Sequence, residues 1–101
     1  MRPVDEAKAL SLLGLAMRAG QVTSGDSLCV REIRAGRAAL ALMDAGVSEN
    51  TREKYRALCG TRGVPLHEIS ADALGKAIGK PNRMIVVMAK GPLCGRVASL
   101  L

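Results

Sequence analysis

Apolar and polar positions along the chain switch repeatedly between a helical and an extended period. Leu10, Leu13 and Met17 fall on one helical face, Asp5 is placed to cap that helix, and Gly20 stops it. Gln21 to Ser24 predicts a short strand. A second helix is expected from about Asp26 to Ala35, with Val30 and Ile33 inward and Gly36 at its end. The short apolar run Ala38 to Met43 predicts a buried strand, and Asp44 to Val47 a loop. Ser48 then caps a helix from about Glu49 to Thr61 that turns Tyr55, Leu58 and Cys59 inward, with Gly63 marking its end. Val64 to Ile69 predicts a third strand, with Pro65 near its start, where a missing donor is tolerated. Ser70 is expected to cap a short helix carrying Leu74, Ala77 and Ile78, closed by Gly79. Met84 to Met88 is apolar throughout and predicts a strand covered on both faces. A last helix presents Leu93, Val97, Leu100 and Leu101 inward.

Strands that alternate with helices specify an α/β domain. Four strands and about five helices fit this length as a three-layer α/β/α sandwich around a central four-stranded sheet. Residues 1–101 are expected to form a single domain, since no repeat, low-complexity tract or linker divides them.

Charge changes the picture. The chain has 101 residues, 49% of them hydrophobic, and a formal net charge of +6. Its pI is about 9.8. The apolar share excludes a disordered chain, and the basic excess points to a polyanionic partner, most often nucleic acid. No apolar run is long enough to cross a bilayer, and no signal-peptide pattern follows Met1, so a cytoplasmic location with no membrane partner is expected. Cys29, Cys59 and Cys94 are odd in number and widely spaced. They match neither a disulfide framework nor a zinc site, and they read as buried thiols in a reducing compartment.

Enzyme motifs are lacking. Gly75-Lys76 and Gly79-Lys80 do not have P-loop spacing, and there is no G-x-G-x-x-G or G-x-S-x-G. His67 is the sole histidine and reads as a strand residue at a sheet edge; nothing in the sequence places a cysteine beside it. No catalytic residue, metal or cofactor is expected. With no Phe, no Trp and one inward-facing Tyr, the chain lacks the surface aromatics on which many RNA-binding modules stack bases. Any RNA binding would work through charge, backbone donors and shape.

The stretch Gly20 to Arg37 carries the strongest functional signal. A strand leads through a glycine turn into a helix whose first N–H groups are free, an arrangement that attracts phosphate. Ser24, Gly25, Asp26, Ser27, Leu28, Arg31 and Arg34 are the candidate contacts there. In an α/β/α sandwich, Lys76, Lys80 and Arg83 are expected to join them at the same end.

Ala19-Gly20-Gln21-Val22-Thr23-Ser24-Gly25, followed by a helix with Arg31 and Gly36, resembles the ribosomal protein L7Ae family. So do Gly63-Val64-Pro65-Leu66 and Ala73-Leu74-Gly75-Lys76-Ala77-Ile78-Gly79, and the likeness runs from about Leu10 to Met88. It looks closest to the short bacterial, ribosome-associated members. The resemblance implies a sandwich that binds structured RNA, often kink-turns, as part of a ribonucleoprotein in translation. Ribosomal RNA, and also ribosomal proteins, are the partners it implies. In the family the glycine turn reads sheared G·A pairs, and the loop after the fourth helix packs on a flipped-out nucleotide. Ser27 and Leu28 stand where the family's paired polar base-readers belong, and Leu28 cannot hydrogen-bond a guanine edge. Lys80-Pro81-Asn82-Arg83 replaces the family's apolar loop. These departures predict binding dominated by the RNA backbone. A protein-interaction module of the same fold is the alternative.

Overall fold

The computed structural model describes residues 4–101. Along these residues α1 (Glu6–Arg18), β1 (Val22–Ser24), α2 (Asp26–Arg34), β2 (Leu40–Asp44) and α3 (Glu49–Arg62) are followed by β3 (Leu66–Ile69), α4 (Ala73–Ile78), β4 (Ile85–Met88) and α5 (Pro92–Ser99). The strands form one sheet in the order β1-β4-β2-β3. β2 and β3 are parallel, and β4 is antiparallel to both β1 and β2. The ends of β1, β2 and β3 and the start of β4 therefore meet at one end of the sheet, called here the loop end.

Strand alternation sorts the core into two halves. Leu40, Leu42, Val86, Met88 and Ile69 face α1, α4 and α5, where they meet Ala9, Leu13, Ala16, Leu74 and Val97. Ala41, Met43, Ile85 and Val87 face α2 and α3, where they meet Cys29, Ile33, Tyr55 and Cys59. This is the expected α/β/α sandwich, and β2 and β4 are buried along their whole length. All three cysteines are buried and free.

Local signals worked at most helix ends. Asp5 accepts from the Lys8 N–H at 3.0 Å, and Ser48 accepts from the Thr51 N–H at 3.2 Å. β3 begins at Leu66 rather than Val64, which leaves Pro65 just ahead of the strand, and two further expectations are corrected. Ser70 does not cap α4: the Asp72 N–H is held by the Asp44 carboxylate, the chain makes one more turn, and Asp72 precedes the helix in a left-handed conformation, φ 67°. β2 begins at Leu40, two residues late, and takes in Asp44, which the sequence placed in a loop. Register explains the second shift. Leu40 is paired with Met88, and the Asp44 N–H donates to the Met84 carbonyl at 2.8 Å, so the partner strand sets the bounds of β2.

α1 crosses α4 through Gly14. A Cβ there would lie 2.8 Å from the Ala77 carbonyl oxygen, closer than backbone allows. Gly14→Val should therefore destabilise the protein by roughly 1–3 kcal/mol, although valine suits a helix interior slightly better than glycine. Urea unfolding decides it: an unchanged midpoint would mean the α1–α4 contact is slack.

Candidate nucleic-acid interface

Gly25 makes the loop end possible. It links β1 to α2 at φ 99° and ψ 147°, a conformation open to glycine alone. Its N–H donates to the Ile85 carbonyl at 3.3 Å, which ties the turn to the first residue of β4. The Cys29 thiol, one turn into α2, donates to the Thr23 carbonyl at 3.3 Å and faces the Ile85 carbonyl at 3.7 Å. Burial pushes that thiol up to about 12, so it stays protonated as a donor.

No side chain caps α2, unlike α1 and α3, so its first N–H groups remain open to a ligand. The Asp26 carboxylate does not fill that role because it is held elsewhere. It accepts from the Tyr55 hydroxyl and from Lys54 Nζ at 2.9 and 3.0 Å. The Tyr55 hydrogen bond, more than the Lys54 ammonium, holds the Asp26 carboxyl below the usual carboxylate range. Tyr55 itself is buried, and desolvation raises its phenol.

The second segment arrives from α4. Gly79, at φ 71°, ends that helix, and the Lys80 N–H returns to the Gly75 carbonyl at 3.0 Å. The loop lies so close over Gly75 that a Cβ there would meet the Lys80 carbonyl oxygen at 2.9 Å. Asn82 follows at φ 65° and turns the chain back toward β4. Arg83 then reaches the glycine turn, where a Cβ on Gly25 would stand 2.9 Å from Arg83 Nη1. The two segments do meet at one end, as the sequence predicted. On either side of this loop lie two clefts. One, of about 510 Å3, is lined by Asp44, Asp72, Lys76, Arg83 and Met84. The other, of about 450 Å3, is lined by Gly25, Asp26, Val47, Lys54, Tyr55 and Arg83.

The predicted residues divide accordingly. Gly25, Ser27, Leu28, Lys76, Lys80 and Arg83 belong to this end, and Ser27 and Leu28 are both exposed. Ser24 is buried and helps build the turn. Arg31 lies one turn beyond Ser27, on the same open face. Arg34 is not brought to the loop end: eight residues beyond Asp26 it is about 12 Å down the helix. Among the described residues, Arg31, Lys76, Lys80 and Arg83 have no carboxylate partner, whereas Arg37, Arg52, Lys54 and Arg56 are each ion-paired.

Asp44 was missed as a site residue. Its buried carboxylate accepts from the Gly46 N–H and the Asp72 N–H, both at 2.7 Å, and so binds the β2–α3 loop to the approach to α4. The Asp44-Ala45-Gly46 sequence carried the signal, because aspartate readily bonds a backbone N–H two residues on. Cys59 and His67 line one cleft between α3 and β3, but burial raises the Cys59 thiol, the reverse of activating a nucleophile. Among the described residues, no group of His, Cys, Asp and Glu side chains could hold a metal ion, and no helix is long and apolar enough to cross a membrane.

Comparison with known proteins adds to this geometry. Residues 7–98 match the family described as ribosomal protein L7Ae/L30e/S12e/Gadd45. The chain is 40% identical over 91 residues to the RNA-binding protein YlxQ of Bacillus subtilis (strain 168), across 89% of this chain and 91% of that protein. A protein with unknown function from Bacillus halodurans C superposes with a TM-score of 0.88 at 32% identity, covering 94% of this chain and 97% of that one. The Giardia lamblia 15.5kD RNA binding protein shares the fold, with a TM-score of 0.73 at 20% identity, covering 98% of this chain and 95% of that one.

The Tyr55–Asp26 bond sets a pH test. Because Asp26 is depressed when folded, its stabilisation is complete above the ordinary value of 3.8 and fades as pH falls through the lower folded value. Tyr55→Phe should cost about 1 kcal/mol at neutral pH, and the gap from wild type should narrow below about pH 3.8. Denaturant titrations at stepped pH measure this; a gap that stayed constant would assign the cost to packing alone.

Proposed function

The chain belongs to the ribosomal protein L7Ae/L30e/S12e/Gadd45 family, and from that membership we propose that it binds structured RNA non-catalytically through its loop end. The observation that carries this reading is the seating of Arg83 against Gly25. It joins an uncapped helix N-terminus to the basic loop that follows α4. Phosphate would take the free N–H groups of α2, and Arg31, Lys76 and Lys80 would supply unpaired positive charge around it. Asp26 and Ser24 hold the turn in shape rather than touching RNA. The name of the Bacillus subtilis relative supports the ligand class. In this reading the RNA is ribosomal or ribosome-associated and the setting is cytoplasmic.

Kink-turn recognition is weakened in this proposal. Leu28 is exposed at the position of a polar base-reader and offers a base edge no hydrogen bond. Affinity then comes mostly from the backbone, and shape supplies the selectivity. The alternative, a protein-docking module, draws support from Leu28 and Met84, both exposed at this end.

Charge reversal at Arg31 and Lys80 together should weaken binding to every structured RNA tried. It should also flatten the slope of log affinity against log salt by roughly 1.5–2, about two phosphate contacts. Filter binding over a salt series is the measurement. An unchanged affinity and slope would remove the loop end as the RNA site and favour the docking module. A second experiment concerns specificity. Ser27→Asn with Leu28→Glu should raise the preference for a kink-turn over a plain duplex of equal length by on the order of 1–3 kcal/mol. If the unaltered protein already prefers the kink-turn by several orders of magnitude, the polar pair is dispensable and this residue assignment fails.

A further inference from the structure

The end of the molecule opposite the loops carries a charge arrangement that the proposed site does not use. Backbone bonds place it: the Ala89 N–H reaches the Gln21 carbonyl, the Ala39 N–H the Met88 carbonyl, and the Ala41 N–H the Pro65 carbonyl. Arg18, Arg34, Arg37, Arg62 and Lys90 each lie within a few residues of those junctions. All five are exposed, and the nearby acidic residue is Glu32, paired with Arg37. In strand order the cations run from Arg18 beside β1, through Lys90 after β4 and Arg34 and Arg37 before β2, to Arg62 before β3. Four strands span about 14 Å, and the cations form a broad row across this end, with Arg18 in one helix layer and Arg34 and Arg62 in the other. The loop end is different, because there Asp26, Asp44, Glu49 and Asp72 stand among the basic residues.

Helix dipoles account for part of this pattern. α1, α2 and α3 all end here, and a cation at a helix C-terminus offsets a partial negative charge of roughly half an elementary unit. That account stops at Lys90, which precedes the N-terminus of α5, where a cation is disfavoured. Nor does it need Arg37, which lies beyond α2. The surface is also low. Gly20, Gly36 and Gly63 turn the chain at φ 74°, 76° and 67°, and each has open space where a Cβ would be.

We propose that this row is a second RNA-binding surface, which takes the phosphate backbone of a further duplex while the loop end holds the first RNA. The inference rests on the chain being an RNA binder but uses different residues. Chemistry selects the partner. The exposed large hydrophobics of the described residues are Val4, Leu15, Leu28 and Met84, of which Leu15 alone, in the last turn of α1, lies near this end, and a single exposed side chain makes no apolar patch. A protein interface or a membrane face needs such anchors, whereas a phosphate backbone does not. The sole aromatic, Tyr55, is buried, so unstacked bases find no platform, and a duplex is favoured over a single strand. The described residues extend 31 × 28 × 26 Å, so the two ends lie more than a Debye length apart at physiological salt, about 8 Å, and bind independently.

The test uses the full chain and two short RNA duplexes, one with a donor dye and one with an acceptor. The wild-type protein should bring them together, giving energy transfer and two duplexes bound per chain. Replacement of Arg34, Arg62 and Lys90 together by Gln should abolish transfer and leave one duplex bound. An unchanged melting temperature in that variant shows that folding is intact. Should it melt lower, Lys90→Gln alone, outside any helix, should still reduce transfer several-fold. Charge reversal at Arg31 and Lys80 should leave one duplex held by the row. If that variant alone behaves as wild type, the loop-end reading fails and the row stands. One duplex bound by wild type without transfer, transfer unaffected by the three Gln replacements, or capture by phosphatidylserine vesicles in preference to duplex RNA would each overturn the inference.

Discussion

A carboxylate out of water must be satisfied by its surroundings, and at Asp44 that requirement organises the loop end. The side chain is 1% exposed. Two backbone N–H groups from different loops donate to its oxygens, while its own N–H donates to Met84 at the mouth of β4. An unpaired charge at this depth would cost several kcal/mol, so the loops are fixed by what the carboxylate needs. The Asp72 N–H that it holds belongs to the left-handed turn that leads into α4, and both aspartates line the cleft beside that helix. Arg83 and Gly25 then meet across ground that Asp44 has already levelled.

The fold was legible because its signals were redundant. The apolar run at Ile85–Met88, the caps at Asp5 and Ser48, and the glycines ending α1, α2, α3 and α4 each point to the same sandwich. What escaped the sequence was what only a partner determines. β2 shifted toward Asp44 because β4 sets its register, and Ser70 lost its capping role because Asp44, far away in sequence, holds the Asp72 N–H in a left-handed turn that starts α4 later. The site divides in the same way. Gly25 and the basic loop were readable from the chain. The loss of Arg34 was a matter of helix length, and the capture of Asp26 by Tyr55 and Lys54 needed a residue 29 positions on.

Charge and shape are separated in this molecule. The loop end is sculpted: it has clefts, a glycine-only turn and an uncapped helix, and its charge is mixed. The opposite end carries cations almost without acids. A surface that recognises shape needs the first, and one that attracts a polyanion at a distance needs the second. Net charge alone does not say which end it serves.

The position of β4 in the sheet also governs how the protein is made. β1 and β2 do not touch each other; each pairs with β4, whose first residue is Ile85. A chain emerging from a ribosome at about 5–20 residues per second would carry β1 unpaired until most of the sequence had appeared. Only β2 and β3, joined through α3, can zip up early. Gly25 has no Ile85 carbonyl to bond and no Arg83 to receive until then. The loop-end surface therefore assembles only as the sheet closes, after β4 has emerged.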